Sequence, residues 1–191
     1  MRLTLFTSIL VASLALAPLA LAAKQPLYEV QVLVFANHLR KLDGHEHWNQ
    51  EKIQPVSGYR KALKPSTTLP AGSTLAHDER LLSGHPHYTI LAAASWVQNA
   101  VPLRATKAIR IASHVDGRLK GVVRVFQWRL LHVALDLHYT PPQGVLGGSA
   151  PVFQLAESRP MALYRTNYFD HPKFGALVLI TPYHGTVPAR G

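Results

Sequence analysis

From Tyr28 to Phe35 the chain alternates at period two: Tyr28, Val30, Val32 and Val34 fall on one side, and Glu29, Gln31, Leu33 and Phe35 on the other. Alternation of this kind is the mark of a strand, and apolar residues on both faces predict an inner one. Leu131 to Tyr139 repeats it, with Leu131, Val133, Leu135, Leu137 and Tyr139 set against His132, Ala134, Asp136 and His138, and Lys120 to Trp128 precedes it as a second strand. Phe174 to Ile180 is instead nearly all apolar, between Gly175 near its start and Pro182 beyond its end, which predicts a strand buried on both faces with the others assembled around it. Tyr28 to Phe35, Leu131 to Tyr139 and Phe174 to Ile180 are therefore expected in one sheet.

Helical spacing is confined to Ser73 or Thr74 through Ser83, where Leu75 and Leu82 share a face, a hydroxyl stands at the N-cap and Gly84 is the stop. This helix is expected against a sheet face. Tyr88 to Val97 reads as a strand, although Ala92-Ala93-Ala94 also permits a short helix. Ile109 to Ile111 adds a short strand, Asp116-Gly117 a turn, and Val152 to Ala156 a strand that Arg159-Pro160 ends or bends. Ahead of the last strand, Pro172 pushes His171 out of helical geometry and Asp170 is placed to cap a tight turn, so Tyr168, Asp170, His171 and Pro172 are read as a structural turn. The long connection Ala36 to Ala71, with His45-Glu46-His47-Trp48 and three prolines, is expected to be functional where it is ordered. The elements add up to an α+β fold, a mainly antiparallel sheet packed with one or two helices, in a single domain over residues 23–191.

Residues 1–22 change the picture of where that domain resides. Arg2, the apolar run Leu3 to Leu16, Pro18 and the small residues ending Ala20-Leu21-Ala22 make a secretory signal peptide with the cut after Ala22, so the expected location is the periplasm with no membrane anchor. The absence of cysteine excludes disulfides, a lipid anchor on cysteine and thiol catalysis. Lys and Arg number 20 against 10 Asp and Glu, an excess of ten that falls to nine when Arg2 is removed. In a secreted chain this basicity points away from nucleic acid and toward other polyanions: peptidoglycan stem-peptide carboxylates, acidic proteins or anionic headgroups.

Candidate chemistry is thin. His132, Asp136 and His138 share a strand face, and His45/His47 and His85/His87 form His-x-His pairs, but alternation alone places polar residues on a solvated face, and no metal is expected. Asp170-His171 is a candidate acid-base pair and Ser95 or Ser158 a candidate nucleophile, yet no nucleophile elbow or zinc-protease signature accompanies them. The expectation is a chain without enzymatic activity or cofactor. Trp48, Trp96 and Trp128 offer rings that stack on sugars, with strand neighbours Val122, Arg124 and Phe126 arguing for Trp128 in a core or rim; Arg124, Arg129 and Arg159 offer forks that grip carboxylates.

Four blocks in order resemble the CsiV family of periplasmic peptidoglycan-binding proteins of Gram-negative bacteria. The first is Val30-Gln31-Val32-Leu33-Val34-Phe35 followed by Glu46-His47-Trp48; the second is Tyr88-Thr89-Ile90-Leu91 leading to Trp96-Val97-Gln98. The third joins Gly117-Arg118-Leu119-Lys120-Gly121 to Arg129-Leu130-Leu131-His132 and Asp136-Leu137. The fourth and most specific runs from Phe153-Gln154-Leu155 and Ser158-Arg159 through Tyr168-Phe169-Asp170-His171-Pro172 and Phe174-Gly175 to Thr181-Pro182-Tyr183. The resemblance implies a non-enzymatic peptidoglycan-binding protein that assists a wall-modifying enzyme such as a carboxypeptidase. It selects Arg129, Arg159, Trp48 and Trp96 as binding residues. The rival from another class is an adaptor that docks an acidic periplasmic partner without touching glycan.

Overall fold

The structure is a computed structural model that describes residues 25–38, 53–66, 68–113, 116–142 and 151–185. The expected signal peptide, its expected cleavage point and the His45 to Trp48 element lie outside the described residues.

Eight strands pair antiparallel in two sheets rather than one. The first sheet has the order β2-β1-β8-β7, formed by Tyr88–Asn99, Leu27–Asn37, Phe174–Tyr183 and Asn167–His171. The second has the order β3-β4-β5-β6, formed by Ile109–Ala112, Leu119–Gln127, Leu131–Tyr139 and Phe153–Pro160. Leu131 to Tyr139 is thus not a sheet-mate of β1 and β8, which corrects the single-sheet expectation. The apolar face of β5 packs across onto theirs, and alternation is identical whether two strands lie side by side or face to face.

One core fills the space between the sheets. Val30, Val32 and Val34 of β1 and Phe174, Ala176, Val178 and Ile180 of β8 meet Val133, Leu135 and Leu137 of β5 there, together with Val123 and Val125 of β4. The odd residues of β8 point the other way, where Leu179 with Leu33 and Ala93 receives the α-helix α1, Thr74–Ser83. The strand is therefore buried on both faces, as its apolar run requires. Ser73 caps α1 by accepting a hydrogen bond from the Ala76 N–H at 3.1 Å, and Leu75 is fully buried beneath it. Burying such a leucine stabilises by about 2 kcal/mol and the cap by about 1 kcal/mol. It is the one α-helix among the described residues; none there is long and apolar enough to cross a membrane.

One further expectation holds over its alternative, and another changes. The alanine run is strand, its small side chains fitting Ala92 and Ala94 between the sheets and Ala93 under α1. Asn167 to His171 is not a turn but the edge strand β7, paired with β8 from Asn167↔Val178 to His171↔Phe174. The turn shrinks to Pro172 and Lys173, and its cap is the His171 ring, whose Nδ1 accepts from the Lys173 N–H at 3.2 Å, rather than Asp170. Asp116-Gly117 does turn, with Gly117 at φ 66°, a conformation that favours glycine. On the outer face of the second sheet, residues 53–66 form a strap whose Val56, Tyr59 and Ala62 cover Val122. It is latched where Arg124 donates to the Ser57 carbonyl at 2.7 Å and Arg110 donates to the Tyr59 carbonyl at 3.1 Å.

Candidate functional site

Three loops come together at one end of the paired sheets. The β4–β5 hairpin tip carries Trp128, Arg129 and Leu130; a 3-10 turn at Leu103–Ala105 lies beside it, held by the Gln127 N–H donating to the Val101 carbonyl at 2.8 Å. Residues 161–166 complete the group, tied to the hairpin by the Met161 N–H donating to the Leu131 carbonyl at 2.8 Å.

This end is apolar and basic at once. Trp128 is 76% exposed, Tyr164 69%, Leu130 60% and Leu103 54%. Arg104, Lys107, Arg129 and Arg165 are also exposed on these loops, and the segments 99–113, 117–135 and 158–169 contain no Asp or Glu. Large apolar side chains exposed together mark contact surfaces, and the cations beside them favour an anionic partner.

The aromatic groups are held in place. His132 stacks on Phe126, with ring centroids 5.4 Å apart at 18°, and Trp128 leans on His132 at 5.9 Å and 41°. The His132 Nδ1 is in turn 2.9 Å from the Leu130 carbonyl oxygen. One indole face is propped and the rest is open. Tyr164 has φ 60°, a left-handed conformation that costs a non-glycine residue about 1 kcal/mol. It persists because the Tyr164 N–H donates to the Ile180 carbonyl at 3.0 Å and the Asn167 side-chain amide donates to the Ala162 and Arg165 carbonyls at 3.2 and 2.7 Å. The strained turn turns the phenol outward.

Of the residues selected from the sequence, the structure brings only Arg129 to this end with an exposed side chain. Trp96 is 7% exposed inside the core, its indole N–H donating to Gln98 Oε1 at 2.7 Å while Gln98 donates to the Val125 carbonyl at 2.8 Å. With no ring face open to a sugar, it is a packing residue, which corrects its selection as a ligand contact. Arg159 is a clamp between the sheets. Its guanidinium donates to the Tyr168 carbonyl, lies 4.0 Å above the Phe169 ring centroid and is 3.5 Å from Glu157 Oε1. These contacts give the side chain a structural role, joining β6 to β7.

The paired chemistry suggested by Asp170-His171 also separates. Adjacent strand residues leave on opposite faces, so His171 is buried while Asp170 is exposed and accepts the Tyr168 hydroxyl at 2.6 Å. Asp136 accepts from Gln154 Nε2 at 2.9 Å and lies 3.6 Å from His138 Nε2, while His132 belongs to the aromatic prop; among the described residues no three His, Asp or Glu side chains are grouped to hold a metal.

Tyr164 and Leu103 were passed over in the sequence, and Trp128, weighed as a stacking ring, was assigned to a core or rim although it stands exposed. A usable signal existed for Trp128: tips of short hairpins are ordinarily polar or glycine-rich, and Trp-Arg-Leu between two strong strands breaks that rule. Nothing local marked Tyr164, whose presentation depends on contacts with β8. No curated protein and no solved structure matches the chain. A family model does, over residues 4–183, and the chain belongs to that family, CsiV, described as peptidoglycan-binding protein.

Proposed function

We propose that this chain is a periplasmic, non-enzymatic peptidoglycan-binding protein that grips the wall through its basic aromatic end and presents it to a wall-modifying enzyme. The observation that carries the site is the adjacency of an open indole, Trp128, and an exposed guanidinium, Arg129, on one hairpin tip. Peptidoglycan supplies a match for each: sugar rings with apolar C–H faces for the indole, and stem-peptide carboxylates for the guanidinium, which meets them with two parallel charge-assisted hydrogen bonds. Family membership supports the ligand. The excess of basic residues supports the attraction.

Sedimentation with purified sacculi over a salt series tests this. Binding is expected to weaken with salt, because exposed charges are screened over about 10 Å at 0.1 M, and to leave a salt-resistant remainder from stacking. Arg129→Ala is expected to weaken low-salt binding about tenfold, the loss of one charge-assisted contact, with Arg129→Lys recovering part of it. Trp128→Ala is expected to remove the remainder. Arg159→Ala should instead lower thermal stability with little effect on binding. Wild-type protein that stays in the supernatant at low salt would replace this function with that of a protein adaptor; binding unchanged in both Arg129→Ala and Trp128→Ala would keep the function and discard the site.

A further inference from the structure

Away from the basic end, between α1 and the first sheet, lies a groove of ≈ 390 Å³. Phe35, Tyr88 and Tyr168 wall it with Leu81 and Leu177, and Asp78 stands on its helix side. The walls are ordered by ring contacts: Phe35 and Tyr168 stack with centroids 6.2 Å apart at 11°, and Tyr88 meets Phe35 edge-on at 5.5 Å. Gly175 makes room for this, since a Cβ there would lie 2.6 Å from the Tyr168 ring. Even so, Tyr168 is 46% exposed and Leu81 60%, so an apolar surface is left uncovered.

Its electrostatics are the reverse of those at the basic end. Asp170 lies on the same face of β7 as Tyr168, two residues on, and accepts its hydroxyl at 2.6 Å. Burial first, and Asp170 second, push the Tyr168 hydroxyl pKa up, so the phenol stays a donor. Asp78 on one side and Asp170 on the other place two acidic residues beside an apolar trough, in a chain whose bases outnumber its acids 20 to 10. A cation carried on an apolar stem matches that arrangement. Methylenes lie along leucine and aromatic surface, the charge sits by the carboxylates, and aromatic faces add attraction for an ammonium.

We infer that this groove binds the side-chain ammonium of the diamino acid in a peptidoglycan stem peptide. The inference rests on the peptidoglycan reading and adds to it a second contact of opposite charge: carboxylates at Arg129, the amine between Asp78 and Asp170. Because the two contacts lie at opposite ends of β1, about 25 Å apart at ~3.3 Å per strand residue, while an extended tetrapeptide spans about 14 Å, they engage different stem peptides of the wall, and the groove contact is lost where the amine has been consumed in a cross-link.

The probe is a synthetic stem tetrapeptide containing lysine, titrated calorimetrically and by amide chemical shifts into the full chain, beside the same peptide acetylated on the lysine ε-amine. The free amine is expected to shift resonances of Leu81 and Tyr168, and acetylation to weaken binding about tenfold. Asp78→Asn and Asp170→Asn are expected to cause losses of the same order for the free amine and none for the acetylated peptide, with melting temperatures checked so that unfolding is not mistaken for lost contact. Equal binding of the two peptides, or shifts confined to Trp128 and its neighbours, would overturn the groove. Sacculus sedimentation separates the two levels: sacculi bound with no preference for the free amine discards the groove and keeps the peptidoglycan function, whereas sacculi left unbound removes the function itself.

Discussion

Val178→Asp is expected to abolish the cooperative thermal transition. Val178 has 0% exposure in the core between the sheets, and across the strands it faces Val32 of β1 and Asn167 of β7. A carboxylate placed there has no cation in the core cluster to pair with, and an unpaired buried charge costs several kcal/mol. Domains of this size are stable by about 5 to 15 kcal/mol, so a loss of that magnitude removes much or all of the margin. Leu177→Asp is the matched comparison: one residue earlier, half-buried on the helix side, it can turn its charge toward water and should lower the melting temperature while keeping the transition. Circular dichroism melts of both variants decide the matter. Unchanged melting of Val178→Asp would mean that β8 is a surface strand and that the two-sheet core is wrongly assigned.

Acid is expected to destabilise the protein between about pH 6.5 and pH 4, with His171 a main cause. The ring is 5% exposed, packed 5.0 Å from Phe174 and 5.5 Å from Phe153. Burial, with Lys173 acting the same way and Asp170 against it, pushes its pKa down from 6.5 to about 4. The unfolded chain therefore takes up a proton near pH 6.5 that the folded chain refuses until near pH 4. Stability is full above the upper value and falls through the window as pH drops, by about 3 kcal/mol in all. His138 adds in the same direction, its pKa lowered first by burial, with Asp136 opposing and Lys120 reinforcing. His171→Phe keeps an aromatic ring against Phe153 and Phe174 but cannot titrate. Comparing melting temperatures at pH 7.5 and pH 4.5, wild type should lose markedly more stability than this variant. An equal loss in both would show that the acid sensitivity arises elsewhere.

These two residues also show what could be read from the chain alone. The apolar run around Val178 announced a doubly buried strand, because period-two alternation and its absence record directly how many faces are covered. The helix was equally legible, since Ser73, Leu75, Leu82 and Gly84 are local signals for cap, buried face and stop. Its stop proved conformationally ordinary, Gly84 having φ −78°. Location of His171 in a turn was wrong by one residue for a physical reason: the hairpin register that makes Asn167 to His171 a strand is set by pairing with β8, and polar residues on an edge strand resemble a loop.

Candidate binding positions divide in the same way. Arg129, selected for its motif, stands exposed at the candidate site; Trp48 falls outside the described residues, Trp96 is packed in the core and Arg159 is engaged between β6 and β7, because a tryptophan or arginine looks alike in sequence whether its surface is free or engaged. Only the packing of β2 against the second sheet takes up the Trp96 ring, and only the approach of β6 to β7 gives the Arg159 guanidinium its aromatic and carbonyl partners. The sequence by itself determined every strand but β7, the helix, the basic charge and the family, because those depend on neighbours within a few residues, on composition or on short motifs in order. Tertiary structure decided that the strands divide between two sheets, that Trp128 and Arg129 stand open at one end, and that Phe35, Tyr88 and Tyr168 meet in a groove with Asp78, because each depends on contacts between residues dozens of positions apart, which no local pattern encodes.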